Sequence, residues 1–192
     1  MPRAGLTIHL VRHGRSTWND EGRLQGQTVH PPLTTLGEQQ ATAAAHHLIG
    51  AIGSAPVTVI SSDLVRASQT AAVIASALGA AVRLDPALRE QALGVMEGVL
   101  SRDLTPQETP KGAHVSEIRW GGGESIEDVH RRVGAFFDRE LRQVRADSLH
   151  HLVLISHGDT IRVMDAWLRG RGHREVDWDL TVANGEVLTV VP

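Results

Sequence analysis

Four short stretches of the 192-residue chain carry residue types that do chemistry. They are Arg12-His13-Gly14-Arg15-Ser16 with Asn19 beyond it, Ser61-Ser62-Asp63 followed by Arg66, Leu88-Arg89-Glu90 followed by Glu97-Gly98, and Ser156-His157-Gly158-Asp159. Converging on one rim, they would supply two imidazoles, two or three guanidiniums and a carboxylate, a set suited to phosphoryl transfer. A phosphomonoester is close to a dianion at neutral pH, and holding it out of water takes several N–H donors with formal positive charge. Arginine's planar fork matches phosphate oxygens in pairs, and each hydrogen bond to a charged group contributes about 1.5–3 kcal/mol. An unprotonated imidazole can attack phosphorus and carry the phosphoryl group covalently. A second imidazole, protonated, can neutralise equatorial oxygen charge in a loose transition state. A carboxylic acid can protonate the departing alkoxide and later take a proton from attacking water, an assistance of about 10²–10⁴-fold. Such a cationic field needs no metal.

The elements that would position these groups follow from periodicity. Leu6–Val11, Val57–Ser61, Ala81–Leu84, Leu152–Ser156 and Val187–Val191 read as strands, several nearly continuous in apolar residues, as strands covered on both faces are. Between them run helical stripes. Ala41, Ala44, Ala45, Leu48 and Ile49 form one, with Thr35 and Glu38 fitting a capping box. Ala67, Ala71, Ile74, Ala75 and Leu78 form another, stopped by Gly79. Ile126, Val129, Val133, Phe136, Phe137, Leu141 and Val144 form the longest, entered through Ser125 and Asp128, and a fourth helix is expected from about Thr160 to Leu168, ending at Gly170. Strand–helix alternation of this kind predicts an α/β fold, a three-layer α/β/α sandwich with a mostly parallel central sheet, in one domain spanning 1–192. Each chemical cluster then follows a strand's carboxyl end or the segment just after it, where ligands bind in open α/β sheets. Ser101–Gly123, with Pro106, Pro110, the lone Lys111 and Gly121–Gly123, reads as an irregular excursion or lid.

Composition narrows the classes. The formal charge of −3 provides no positive field for nucleic acid or anionic lipid, and the absence of cysteine removes disulfides, thiol catalysis and Cys-ligated zinc together. No run of about 18 apolar residues suggests a membrane span, and no apolar leader follows Met1-Pro2-Arg3-Ala4-Gly5, so a soluble, cytoplasmic protein is the expectation. The pairs His46-His47 and His150-His151 do not read as zinc sites, because adjacent residues on a helix do not face each other and no His-Glu-x-x-His pattern occurs. Gly121–Gly123 lacks the Gly-Lys-Ser/Thr ending of a phosphate loop, and Ser156 lies in no Gly-x-Ser-x-Gly elbow. Trp18, Trp120, Trp167 and Trp178 are read as core or pocket-wall residues.

The run Leu10-Val11-Arg12-His13-Gly14-Arg15-Ser16-Thr17-Trp18-Asn19 resembles the signature of the histidine phosphatase superfamily, the phosphoglycerate-mutase-like group. The resemblance extends through Leu24-Gln25-Gly26, Pro32-Leu33-Thr34-Thr35-Leu36-Gly37-Glu38, Ser61-Ser62-Asp63-Leu64-Val65-Arg66, Leu88-Arg89-Glu90, Gly122-Gly123-Glu124-Ser125 and Ser156-His157-Gly158. It implies a phosphoglycerate-mutase-like three-layer fold, His13 as the phosphorylated nucleophile, and Arg12, Arg66 and His157 completing the phosphate pocket. Glu90 matches the proton donor, with Glu97 its neighbouring rival. Asn19, Ser16, Gln25, Gly26 and Gly158 are the implied substrate contacts, while Arg15 and Arg89 stay open between surface and substrate-facing roles. No metal or organic cofactor is implied.

Two departures bear on substrate: His30-Pro31 stands where relatives often carry an acidic residue, and Gln91–Met96 lacks the aromatics common there. The expected activity is that of a metal-independent phosphomonoesterase acting on a small phosphorylated metabolite. A phosphoglycerate mutase is the first alternative, although the region after Glu90 offers only Arg102, Lys111 and Arg119 to hold a substrate carboxylate. A non-catalytic phospho-ligand binding module is the second. The expected partner is the small-molecule phosphomonoester, with no nucleic acid, no membrane and a leaning to a homodimer.

Overall fold

The computed structural model describes residues 5–105, 109–143 and 150–192. Pro106 and Val144 therefore lie outside the described residues, as do positions 1–4. Five strands form one sheet: β1 (Leu6–Arg12), β2 (Val57–Ser61), β3 (Val82–Leu84), β4 (His150–Ser156) and β5 (Val187–Val190), in the order β3-β2-β4-β1-β5. All neighbours are parallel except β5, which runs antiparallel to β1. The main helices are α1 (Thr17–Glu21), α2 (Thr35–Ile52), α3 (Val65–Leu78), α4 (Ile126–Gln143) and α5 (Gly158–Leu168).

Strand alternation sorts the apolar residues between two cores. Leu6, Ile8, Leu10, Ile60, Leu152 and Leu154 face α4 and α5, where Phe136, Phe137, Val133, Ile161 and Met164 meet them. Val11, Val59, Val153 and Ile155 face α2 and α3, which present mostly alanines and so lie close to the sheet. The result is the three-layer arrangement expected, with the central strands β1, β2 and β4 covered on both faces. Trp167 belongs to the first core, stacked on Phe137 at 4.9 Å.

Parallel register determines what leaves the sheet together. Arg12 lies opposite Ser156, and Ser61 lies opposite Ile155. The residues that follow, His13, His157 and Ser62, therefore emerge side by side, with the His13 N–H donating to the Ser156 carbonyl at 3.0 Å and that of Ser62 to Ile155 at 2.9 Å.

The structure amends several local expectations. The cap of α2 is Thr34, not Thr35: its hydroxyl accepts from the Gly37 N–H at 3.1 Å. The third helical position is then Gly37 instead of Glu38, so no Thr35–Glu38 box forms. Glycine is required there, because a β-carbon on Gly37 would lie 2.2 Å from the Arg15 carbonyl oxygen. Helix α5 begins at Gly158, immediately after His157, two residues earlier than expected. Strand β3 starts at Val82 and β4 at His150. The five-residue α1, unforeseen, is closed by a box in which Ser16 and Asn19 bond each other's backbone N–H. The Ser125–Asp128 entry to α4 forms as expected, with side-chain-to-backbone bonds of 3.0 and 3.1 Å.

The described part of the Ser101–Gly123 excursion holds three single 3₁₀ turns, Ser101–Asp103, Val115–Glu117 and Trp120–Gly122. Its glycine run is a packing seam. β-Carbons on Gly121 and Gly123 would lie 2.1 and 1.9 Å from the carbonyl oxygens of Leu93 and Ala92. The end of the excursion is thus laid backbone to backbone on the segment that follows Glu90.

Candidate active site

His13 is 2% exposed and His157 fully buried, and their ring centroids are 5.1 Å apart. His13 Nδ1 lies 2.7 Å from the carbonyl oxygen of Gly14. A carbonyl only accepts, so Nδ1 carries the proton and Nε2 is left with its lone pair. Burial, and then the nearby charge of Arg66, hold this imidazole well below the usual histidine range. Burial and Arg66 do the same to His157, whose Nε2 bonds Ser62 Oγ at 2.9 Å.

Arg66 enters from the first turn of α3 and is 1% exposed. Its two terminal nitrogens donate to the carbonyls of Thr28 and Gly26, at 2.9 and 2.8 Å. Burial pushes it down to about 10, still a cation at neutral pH. Arg12, the last residue of β1, donates to the Val182 carbonyl at 2.5 Å. Three buried side-chain nitrogens have no hydrogen-bond partner among the described residues: Arg12 Nε, Arg66 Nε and His157 Nδ1. All three belong to residues whose sequence context singled them out. Unpaired buried polar groups are unfavourable by about 1–3 kcal/mol each; an anion would take the two guanidinium N–H groups, and His157 Nδ1 as well once that ring is protonated.

Glu90 sits on the amino end of α5. Its carboxylate accepts from the backbone N–H groups of Asp159 and Thr160 at 3.3 and 3.1 Å, from the Thr160 hydroxyl at 3.0 Å and from the Gln91 N–H at 3.0 Å. The helix that places His157 at its cap therefore also holds Glu90. Asp159 beside it is pushed up to about 6 by burial and by the neighbouring charge of Glu90, against the pull of Arg162, its partner at 2.9 Å. Gly158 lies against Arg12: a β-carbon there would be 3.6 Å from the guanidinium carbon.

Ser16, Asn19 and Gln25 form a frame beneath the His13 loop. Ser16 Oγ lies 2.7 Å from Gln25 Oε1 and 3.0 Å from Asn19 Oδ1. Asn184 reaches across to the His13 carbonyl and to Asn19 Oδ1, at 3.1 and 3.3 Å. With Asn19 Oδ1 taken by several donors, its NH₂ is the end left for a ligand, whereas the Ser16 hydroxyl is spent within the frame. Arg15 pairs with Asp20, and Arg89 with Asp63 at 2.5 Å, so both guanidiniums are already engaged.

Glu97 is separated from Glu90 in role. Its carboxylate accepts from the N–H groups of Gln27 and Leu93 at 2.9 and 3.1 Å and from the Thr28 hydroxyl at 2.8 Å. It thereby holds the loop whose carbonyls fix Arg66. Glu124 stood in one of the blocks carrying the resemblance, but its partner Arg132 was not foreseen. Arg132 donates to the carbonyls of Ala87 and Glu90, at 2.8 and 3.0 Å, and to Glu124 at 2.9 Å, bracing the segment that carries Glu90. Ser62 and Thr160 were likewise not assigned their contacts with His157 and Glu90. The arrangement can bind a tetrahedral anion between two cations, present an imidazole lone pair to it and keep a carboxyl group at its edge.

Comparison with known proteins finds relatives along most of the chain. A protein named probable phosphoglycerate mutase GpmB from Yersinia enterocolitica is 38% identical over 170 residues, 86% of this chain and 75% of its own. The solved structure of a mycobacterial glucosyl-3-phosphoglycerate phosphatase in complex with VO₃ superposes with a TM-score of 0.80 at 28% identity, covering 95% of this chain and 91% of that one. The crystal structure of TTHB049 from Thermus thermophilus superposes at 0.66 with 34% identity, over 96% and 92% of the two chains. The profile of the histidine phosphatase superfamily (branch 1) matches residues 8–191, and the chain belongs to that superfamily.

Proposed function

We propose that the protein is a metal-independent phosphomonoesterase that hydrolyses a small phosphorylated metabolite through a phosphohistidine at His13. The observation that carries this reading is the set of unpartnered nitrogens on Arg12, Arg66 and His157 around an imidazole whose Nε2 lone pair is kept available. In the first step His13 Nε2 forms a bond to phosphorus as the bond to the ester oxygen breaks, and the carboxyl of Glu90 passes its proton to the departing alkoxide. In the second step water attacks the phosphohistidine, its proton goes to the Glu90 carboxylate, and the N–P electron pair returns to Nε2. Arg12, Arg66 and His157, protonated by the arrival of the dianion, stabilise the charge on the transferring group.

The name of the Yersinia relative favours a mutase, which would return the phosphoryl group to a sugar acid. Holding such a substrate's carboxylate calls for a spare cation near the pocket. Arg119 is bonded to Asp128 at 2.8 Å, Arg102 is exposed beside Asp103, and Lys111 is exposed on the excursion. Hydrolysis is the reading this arrangement supports better. The test is to incubate the purified protein with phosphomonoesters in excess EDTA and follow phosphate release. Steady release supports the proposal. Loss of release restored by a divalent ion overturns metal independence, and interconversion of phosphoglycerates without net release establishes the mutase.

A further inference from the structure

A cavity of about 340 Å³ opens beside Glu90, lined by its chain neighbour Gln91, by Asp159, whose N–H bonds Glu90, and by Val115, Trp120, Ile126 and Trp178. Its walls are mostly apolar, and Val115 and Trp178 are about half exposed at its mouth, 49% and 46%. By comparison, an apolar space of about 150 Å³ suffices for a benzene ring. The Ser116 hydroxyl, also on the wall, is engaged by the Nδ1 atoms of His114 and His173 at 2.7 and 2.8 Å. Three arginines on the surrounding segments are already paired: Arg119 with Asp128, Arg162 with Asp159 and Arg174 with Glu117. Lys111 is not among the lining residues.

A group that protonates the leaving oxygen stands where the alcohol half of the ester departs, so the space next to Glu90 receives that half. We infer that this cavity is the leaving-group site, and that it selects phosphomonoesters of apolar, ring-bearing alcohols without a carboxylate. Two indoles and two aliphatic side chains give a ring its contacts. A carboxylated leaving group meets Asp159, and no guanidinium or ammonium is among the lining residues. This rests on the hydrolase reading above, and the substrate series is chosen so that the two can fail separately.

The experiment compares kcat/KM for 2-phenylethyl phosphate, glycerol 1-phosphate and 3-phosphoglycerate, all of which release alkoxides, so leaving-group acidity does not dominate the ranking. The expected order places the phenylethyl ester about 100-fold above phosphoglycerate, the scale of a buried ring plus an unmet carboxylate. Trp178→Ala, at a half-exposed position, should cut the phenylethyl-to-glycerol ratio by about tenfold. Asp159→Asn removes the carboxylate charge that repels a substrate carboxylate and neutralises Arg162, and should raise the phosphoglycerate-to-glycerol ratio by about tenfold, the scale of one charge-assisted hydrogen bond. If none of the three esters is hydrolysed, the hydrolase reading falls. If all are hydrolysed but phosphoglycerate equals or exceeds the phenylethyl ester, or Trp178→Ala lowers the three alike, the leaving-group assignment falls and the hydrolase stands.

Discussion

An imidazole attacks phosphorus only through a nitrogen that has shed its proton, and the Gly14 carbonyl, 2.7 Å from His13 Nδ1, determines that this nitrogen is Nε2. Burial and Arg66 add a second condition by keeping the ring neutral to lower pH than a free histidine. The acid limb of kcat/KM, once the substrate's own second ionisation is divided out, should therefore fall well below pH 6.5, the unperturbed value. A limb at or above it would mean that His13 is not the titrating nucleophile. Glu90 faces a different demand, since an alkoxide needs its proton far more than an aryl oxide does. Glu90→Gln should lower the rate on alkyl phosphates by about 10²–10³-fold and on p-nitrophenyl phosphate by under about tenfold. Equal losses would remove Glu90 from the role of acid.

Helix α5 and the 26–28 loop convert these side chains into a site. The amino end of α5 caps Glu90 through the N–H groups of Asp159 and Thr160 while His157 stands just before it. The loop fixes Arg66 through two carbonyls and is itself pinned by Glu97. Glu97→Ala removes three hydrogen bonds from that loop and its neighbour Leu93, so KM for phosphomonoesters should rise by about tenfold while kcat changes less. A fall in kcat alone would mean that Glu97 acts on the chemistry and not on Arg66. His13 and His157 were legible in the sequence because each stands just beyond the end of an apolar strand, where a polar cluster is conspicuous, whereas Arg66, in the first turn of α3, stood out through the Ser61–Arg66 block and its family resemblance. The bracing roles of Glu97 and Glu124 were not legible, although both residues stood in the blocks singled out, and Arg132 was not noticed at all. A carboxylate or guanidinium on a loop or helix face looks the same whether it meets water or braces a neighbour, and only tertiary packing decides. The glycine run at 121–123 does lie in a turn of the irregular excursion, as its composition suggested, but its backbone seam with Leu93 and Ala92 is a tertiary contact that no local pattern announces.

Across the whole molecule, four histidines are held below their ordinary range in the fold: His9, His13, His151 and His157. His9, buried in β1 and bonded to His151 at 2.9 Å, is pushed down to about 4 by burial and by its histidine neighbours. Because the unfolded chain takes up protons near pH 6.5 that the fold refuses, stability is full above that value and declines as pH falls below it. For His9 the decline continues to about pH 4 and amounts to about 2 kcal/mol by pH 5. Asp159, raised to about 6, works in the opposite direction between pH 6 and its unfolded value, and is outnumbered. Urea midpoints should therefore drop between pH 7.5 and 5, and His9→Gln should flatten that drop. A midpoint independent of pH would mean that these rings are not held neutral.

The same sheet that buries those rings delivers His13 and His157 to one place, and the most direct measurement of what they do there is covalent. Rapid acid-free quenching during turnover of a phosphomonoester, followed by peptide mass spectrometry, should place a base-stable, acid-labile phosphoryl group on His13, absent in His13→Ala together with turnover. A phosphoryl group on any other residue, or turnover that survives in His13→Ala, would contradict the account.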